Sequence, residues 1–440
     1  MKDDSKTVDF GKDNVLSILL KLAPPVMFAQ LIQALYNIVD SFFIGKFSEE
    51  GLTALSIVYP LQLLMIALAV GTGVGINTLM ARFLGIKEVQ KSEEMAGVGT
   101  FLAFIMWVIF AIICWFLMPF YAHISTSSEL VAEYVITYGR IVCVFSMGLF
   151  FESIWTKILQ AYGNMKLPMI AQIVGALINI VLDPILIFNA NLGIAGAGIA
   201  TAIGQVSSAL IVMTKGYRKS PSISVYKKYI KRIYYFGFPN ILMQSAYTFY
   251  ILGFNLILKG FSDQAVTVLG LYYKWQTFFI IPLTAMQTCI VPVVSFNYSA
   301  EQYDRCKKTL KDAVFFGFIL MSIGILCFEL IPSQLLRVFS KDIDVITIGT
   351  HAFRVIGVSF IPIVTSLIFP VYFQAIGSSV KSSFLTVLRT VVLFVPLGWI
   401  LSKFGLNQFW LTFPVTDSIC TLVGYIIYKK SSYGGISIKS

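Results

Sequence analysis

Residues 25–59, PVMFAQLIQALYNIVDSFFIGKFSEEGLTALSIVY, are echoed without a gap by residues 239–273, PNILMQSAYTFYILGFNLILKGFSDQAVTVLGLYY. At that single offset of 214, Pro25, Gln30, Tyr36, Phe47, Ser48, Leu55 and Tyr59 fall on Pro239, Gln244, Tyr250, Phe261, Ser262, Leu269 and Tyr273. The register holds further out. Arg140 falls on Arg354, Gln160-Ala161-Tyr162-Gly163 on Gln374-Ala375-Ile376-Gly377, and Lys215 on Lys429. Isolated identities are cheap in an apolar chain, but a spacing shared over a whole unit is not. Residues 25–215 and 239–429 therefore read as two copies of one unit, an arrangement common in secondary transporters.

The copies are membrane units. With 57% hydrophobic and 12% charged residues and a mean hydropathy of +0.81, too little polar surface remains for a water-soluble fold. Twelve apolar stretches can be drawn, near 15–44, 53–81, 95–119, 131–156, 167–189, 194–214, 233–258, 265–295, 312–333, 346–369, 380–402 and 408–428. Most exceed the ~20 residues a helix needs to cross the bilayer core. Period-2 alternation does not recur, which argues against a barrel. The expected fold is an all-α membrane protein of twelve transmembrane helices in two six-helix lobes. Six is even, so both lobes enter the membrane in the same sense, as a parallel repeat. The expected divisions are a tail at 1–14, lobes at 15–214 and 233–428, a basic linker at 215–232 and a tail at 429–440.

Lys and Arg set the orientation. Lys215, Arg218, Lys219, Lys227, Lys228, Lys231 and Arg232 crowd the linker, and the tails and loops on its side hold more than twenty Lys and Arg against five in the opposite-side loops. The positive-inside rule then places both termini and the linker on the cytoplasmic side of a multi-pass membrane protein. The net charge of +11 reads as this topological bias, with attraction to anionic membrane lipid, rather than as a nucleic-acid surface. The polar start MKDDSKTVDFGKDN lacks the pattern of a cleaved signal peptide.

Several function classes fall away. The six cysteines carry no Cys-x-x-Cys spacing, and His123 and His351 belong to no metal-binding pattern, so no metal or other cofactor is expected. A phosphate-binding Gly-x-x-x-x-Gly-Lys-Ser/Thr loop is missing, as is any nucleophile and base at a recognisable spacing, so an enzyme is not expected.

What remains is polarity that an apolar bundle would not carry without reason, since an Asp at mid-membrane costs roughly 2.5–3.5 kcal/mol. Gln33, Tyr36 and Asp40 share one face of the first helix at i, i+3, i+7, and Asn179 and Asp183 are i, i+4 in the fifth. Thr201, in the sixth, follows Gly193-Ile194-Ala195-Gly196-Ala197-Gly198, whose small residues admit a close neighbour. Asp40, Asp183 and Thr201 each lie about 6–11 Å inside the external end of their helix. The offset of 214 replaces Asp40, Asn179, Asp183 and Thr201 by Phe254, Leu393, Leu397 and Val415, so the polar cluster is confined to the first copy. Two carboxylates in low dielectric either share a proton or hold a cation, and an all-oxygen set suits Na⁺ as well as H⁺.

Other intramembrane charges have plainer readings. Glu152 lies near Lys157, Lys274 and Arg389 read as snorkelling side chains, and the recurrence of Arg140 as Arg354 suggests structure. Asp417, nine residues into the last stretch, is a candidate second-lobe protonation site or a partner for another helix. Tyr36, Tyr138, Tyr247, Tyr250, Tyr272, Tyr273 and Trp275 offer faces suited to flat organic cations, or to the lipid interface.

At this point the chain resembles bacterial members of the multidrug and toxic compound extrusion (MATE) family. The resemblance rests on Gln160-Ala-Tyr-Gly-Asn-Met-Lys-Leu-Pro168, Asn179-Ile-Val-Leu-Asp183 and Gly193-Ile-Ala-Gly-Ala-Gly-Ile-Ala-Thr201. Pro282, Gln287, Pro292, Asn297, Tyr298 and Arg305 follow in the second half. It implies two lobes around a cavity that opens alternately to either side, exporting small organic cations in exchange for H⁺ or Na⁺ without any cofactor. It also implies an ion site at Asp40, Asn179, Asp183 and Thr201, with Gln33, Tyr36 and Tyr138 at neighbouring cavity positions. One branch of the family relies on acidic residues in the seventh and tenth helices, and this chain has no Asp or Glu in 233–258 or 346–369. A flippase for lipid-linked oligosaccharides, from the same broad superfamily, is the alternative; it calls for cationic cavity residues where this chain has carboxylates. A monomer with no obligate protein partner is expected.

Overall fold

The computed structural model describes residues 8–222 and 225–431, and its regular structure is helical throughout. The first half comprises α1 (Val15–Phe47), α2 (Glu49–Gly85), α3 (Val89–Ser125), α4 (Glu129–Val144), α5 (Met147–Ala161), α6 (Lys166–Pro184) and α7 (Gly193–Gly216). The second comprises α8 (Tyr226–Lys259), α9 (Asp263–Ser299), α10 (Tyr303–Leu330), the short α11 (Pro332–Arg337), α12 (Ile343–Gly357) and α13 (Pro362–Ala375). It closes with α14 (Ser379–Val387), α15 (Val395–Ser402), the short α16 (Leu406–Phe409) and α17 (Thr412–Lys430). Two π-helical stretches interrupt the pattern: Ile185–Asn189 continues α6, and Leu388–Phe394 joins α14 to α15.

Among the described residues eleven helical spans are long and apolar enough to cross a bilayer, and twelve if α4 and α5, bent by 40° at their junction, count as one. This is the expected all-α, multi-pass architecture. The bend follows from sequence: Ser146 turns its hydroxyl onto the carbonyl of Cys143 at 2.6 Å, which interrupts the ladder where α4 gives way to α5.

Backbone conformation carries the repeat more sharply than the side chains do. Lys87 and Glu301, Gly163 and Gly377, and Asn191 and Gly405 all have positive φ, and the members of each pair are 214 residues apart. Helix caps follow the same spacing. Ser48 accepts from the Gly51 N–H at 2.8 Å and Ser262 from that of Ala265 at 3.1 Å, while Ser128 caps α4 and Asp342 caps α12.

Contacts group the chain into two compact units, one built mainly of Pro24–Ile241 and the other of Phe10–Ala23 together with the chain from Leu242 onward. The division falls inside α1 at Pro24 and inside α8 just beyond Pro239, at prolines that interrupt the helical hydrogen bonds. In the first unit glycines set the spacing: a Cβ on Gly148 of α5 would lie 2.4 Å from the Val206 nitrogen of α7, and one on Gly175 of α6 2.6 Å from the Gly204 carbonyl oxygen. Gly196, in the small-residue run, packs on the turn after α6, where a Cβ would meet the Leu186 carbonyl carbon at 2.6 Å.

In the second unit aromatics fill the core. Phe328 stacks on Phe353 at 4.5 Å, and Phe254 lies against Phe394, Phe409 and Phe413 at 5.6, 5.1 and 5.4 Å. The segment preceding α1 is tied into this unit. Arg305 Nη2 donates to the carbonyls of Phe10 and Asp13 at 2.7 and 2.6 Å, and Asn297 Nδ2 donates to that of Phe10 at 3.0 Å.

Candidate functional site

The first unit brings three helices together around buried oxygen. Asp40 comes from the C-terminal part of α1, Asn179 and Asp183 from one face of α6, and Thr201 from α7. Pro184 supplies no N–H to the helix, and the chain widens at once into the π-helical stretch Ile185–Asn189. Close packing of Gly196 on that stretch and of Gly204 against Asn179 brings α7 alongside α6, and Thr201 and Asp40 both lie by Tyr138.

All four side chains are buried: Asp183 is 0% exposed, Asn179 2%, Thr201 6% and Asp40 7%. Asn179 Nδ2 donates to Asp183 Oδ1 at 3.3 Å. Oδ1 of Asp40, Oδ1 of Asn179, Oδ2 of Asp183 and Oγ1 of Thr201 have no hydrogen-bond partner. Asp40 and Asp183 are electrostatic neighbours, and Tyr36 lies near both. A buried acceptor left unpaired costs about 1–3 kcal/mol, so four at one place call for an explanation. A proton would turn one carboxylate into a donor for a neighbouring oxygen. A small hard cation would instead be met by oxygens alone.

The flanking expectations divide. Tyr138 of α4 is fully buried, faces Asp40 and Thr201, and accepts from Gln62 Nε2 of α2 at 3.4 Å. Tyr36 is half-buried, and Gln33 is exposed. Gln62 did not stand out in the sequence, although a signal existed: the same offset of 214 places it on Gln276, a second amide in an apolar helix.

In the second unit Phe254 takes the place of Asp40 and is packed in the aromatic core. Asp417 accepts from Arg389 Nε at 2.7 Å, from Arg389 Nη2 at 3.4 Å and from the Ser366 hydroxyl at 2.7 Å. The snorkelling reading of Arg389 is thereby corrected. The π-helical stretch Leu388–Phe394 holds it within the unit, with its guanidinium 4.7 Å from the Phe394 ring centroid. Glu152 accepts from Thr156 Oγ1 at 2.8 Å and Gln172 Nε2 at 3.2 Å, and Arg140 donates to the Trp115 carbonyl at 3.2 Å.

The multidrug export protein MepA of Staphylococcus saprophyticus is 23% identical over 97% of this chain and 96% of its own length. MepA of Staphylococcus aureus strain MW2 is 24% identical with the same coverage. Among solved structures, a MOP superfamily transporter from Pyrococcus furiosus superposes with a TM-score of 0.90 at 22% identity, covering 97% of this chain and 98% of that one. An outward-facing multidrug resistance MATE family transporter gives 0.89 at 22% identity, covering 98% and 100%. These likenesses speak to fold. The MatE family model matches residues 25–185 and 239–400, two segments that begin 214 residues apart and take in most of the sequence, and the chain belongs to the MatE family.

Proposed function

We propose that this protein is a secondary active multidrug efflux transporter, exporting small organic, cationic amphipathic compounds in exchange for H⁺ or Na⁺ by alternating access. The observation that carries the reading is the set of four unpartnered buried oxygens contributed by α1, α6 and α7. Its relatives named as multidrug export proteins, matched over nearly their whole length, support it.

A cation arriving from outside is held by Asp40, Asn179, Asp183 and Thr201, and neutralises the carboxylates. Drug and coupling ion then compete through shared negative charge, with the half-buried Tyr36 offering an aromatic face to a flat cation and the buried Tyr138 backing Asp40. One elementary charge moving through ~100 mV supplies about 2.3 kcal/mol, enough for useful accumulation. An ion bound equally in both states would shift nothing, so the cluster must change shape between them. Helix α1 is suited to this, since it carries Asp40 beyond Pro24 and Pro25. Both termini and the basic linker face the cytoplasm, the two six-helix repeats of the sequence are residues 15–214 and 233–428, and the monomer is the working unit.

The test is efflux of a fluorescent cation from proteoliposomes under a pH gradient or a sodium gradient imposed separately, with Asp40→Asn and Asp183→Asn alongside. One gradient should drive the wild type and fail with both variants. Efflux by the variants at wild-type rate would overturn the assignment.

A further inference from the structure

The two units treat their buried charge in opposite ways. Each has a π-helical stretch in its fifth span, Ile185–Asn189 in the first unit and Leu388–Phe394 in the second, and each stretch adjoins or contains a buried charged side chain. Beside the first stands Asp183 with unpaired oxygens around it; within the second stands Arg389, already matched to a carboxylate. Asp417 is 1% exposed and receives three hydrogen bonds from Arg389 and Ser366. The groups that face this pair are Tyr250 from α8, Tyr272 and Tyr273 from α9 and Cys420 from α17. The hydroxyls of Tyr272 and Tyr273 are buried without partners. A carboxylate with aromatic walls and spare hydroxyls is the chemistry that receives a cation, and here the guanidinium of Arg389 fills that role.

We propose that Arg389 is a tethered counter-cation that removes Asp417 from ion exchange, confining the coupling step to the first unit, and that without the guanidinium Asp417 and Ser366, with the hydroxyl of Tyr272 beside them, would take up an external H⁺ or Na⁺. The proposal rests on the first-unit cluster being the coupling site. A permanently paired carboxylate gains little from a second cation, because its charge is already compensated in low dielectric. The cation-to-drug ratio of the transporter is therefore set by Asp40 and Asp183 alone.

The experiment counts cations bound by purified protein in nanodiscs, by proton uptake on acidification and by ²²Na⁺ binding, which separates the two ions. Arg389→Gln should bind one cation more than wild type, and Arg389→Gln combined with Asp417→Asn should return the count to the wild-type value. The double variant, in which no unpaired charge is left buried, keeps the test open if Arg389→Gln alone does not fold. Loss of one bound cation in the double variant would identify Asp417 as a coupling site and overturn the proposal, as would an unchanged count in folded Arg389→Gln. Retention of the bound cation by Asp40→Asn/Asp183→Asn would instead overturn the reading of the first-unit cluster, and is separately visible.

Discussion

Arg389 and Asp417 form a buried ion pair, Nε to Oδ1 at 2.7 Å, with side chains only 10% and 1% exposed. Twenty-eight residues of sequence separate them, and they meet because α17 packs against the π-helical stretch that carries the arginine.

That pair gives an unequal mutational response. Asp417→Asn leaves a guanidinium buried without its counter-charge and should cost about 3–5 kcal/mol, whereas Asp417→Asn with Arg389→Gln should recover much of the loss. Thermal melting of the three proteins in one detergent measures both. Equal melting of single and double variants would mean that the unpaired guanidinium costs nothing where it is buried.

Asp40→Asn and Asp183→Asn should abolish ion-driven drug efflux while leaving the melting temperature at or above that of wild type. Each variant replaces an unpaired buried carboxylate oxygen with a neutral group. A variant that melts much earlier than wild type would point to a packing role instead.

Glycine contacts predict a contrast within one residue type. Gly196→Ala drives a methyl to 2.6 Å from the Leu186 carbonyl carbon and should lower folded yield severely. Gly270→Ala in α9 meets nothing within 4 Å and should be neutral, or stabilising by about 0.5–1 kcal/mol. Size-exclusion profiles of the two membrane extracts distinguish them.

The first turn of α10 holds the segment before α1 through Arg305, whose Nη2 donates to two carbonyls while its Nε donates to Asn297 Oδ1 at 2.9 Å, a separation that the single nitrogen of a lysine does not span. Arg305→Lys and Arg305→Ala should both speed hydrogen exchange around Phe10–Asp13, alanine the more. Exchange unchanged from wild type would show that Asn297 and the Phe10–Phe296 edge contact at 5.9 Å suffice.

Strained left-handed residues recur at the same turn in each half, Lys87 at φ 62° and Glu301 at φ 59°. Lys87→Gly and Glu301→Gly should each relieve on the order of 1 kcal/mol, read as a rise in melting temperature. A fall would indicate that the side-chain contacts of these residues outweigh backbone strain.

Much of this was legible in the sequence because it rests on local chemistry. Apolar length and helical periodicity mark the spans, and the spacing of 214 that joins Pro25 to Pro239 reappears in the backbone angles of Lys87 and Glu301. The i, i+4 spacing of Asn179 and Asp183 was enough to put both on one face of α6. Tertiary structure alone decided which buried groups meet. Gln62 reaches Tyr138 across 76 residues, Arg389 turns inward to Asp417, Gln33 is left exposed, and Oδ1 of Asp40, Oδ2 of Asp183 and Oγ1 of Thr201 stay unpaired. The physical reason is that hydropathy fixes how long a helix is and what its faces carry. The rotation that aims each face is set by glycine contacts between helices, prolines and π-helical turns, whose effects add up only in the assembled bundle.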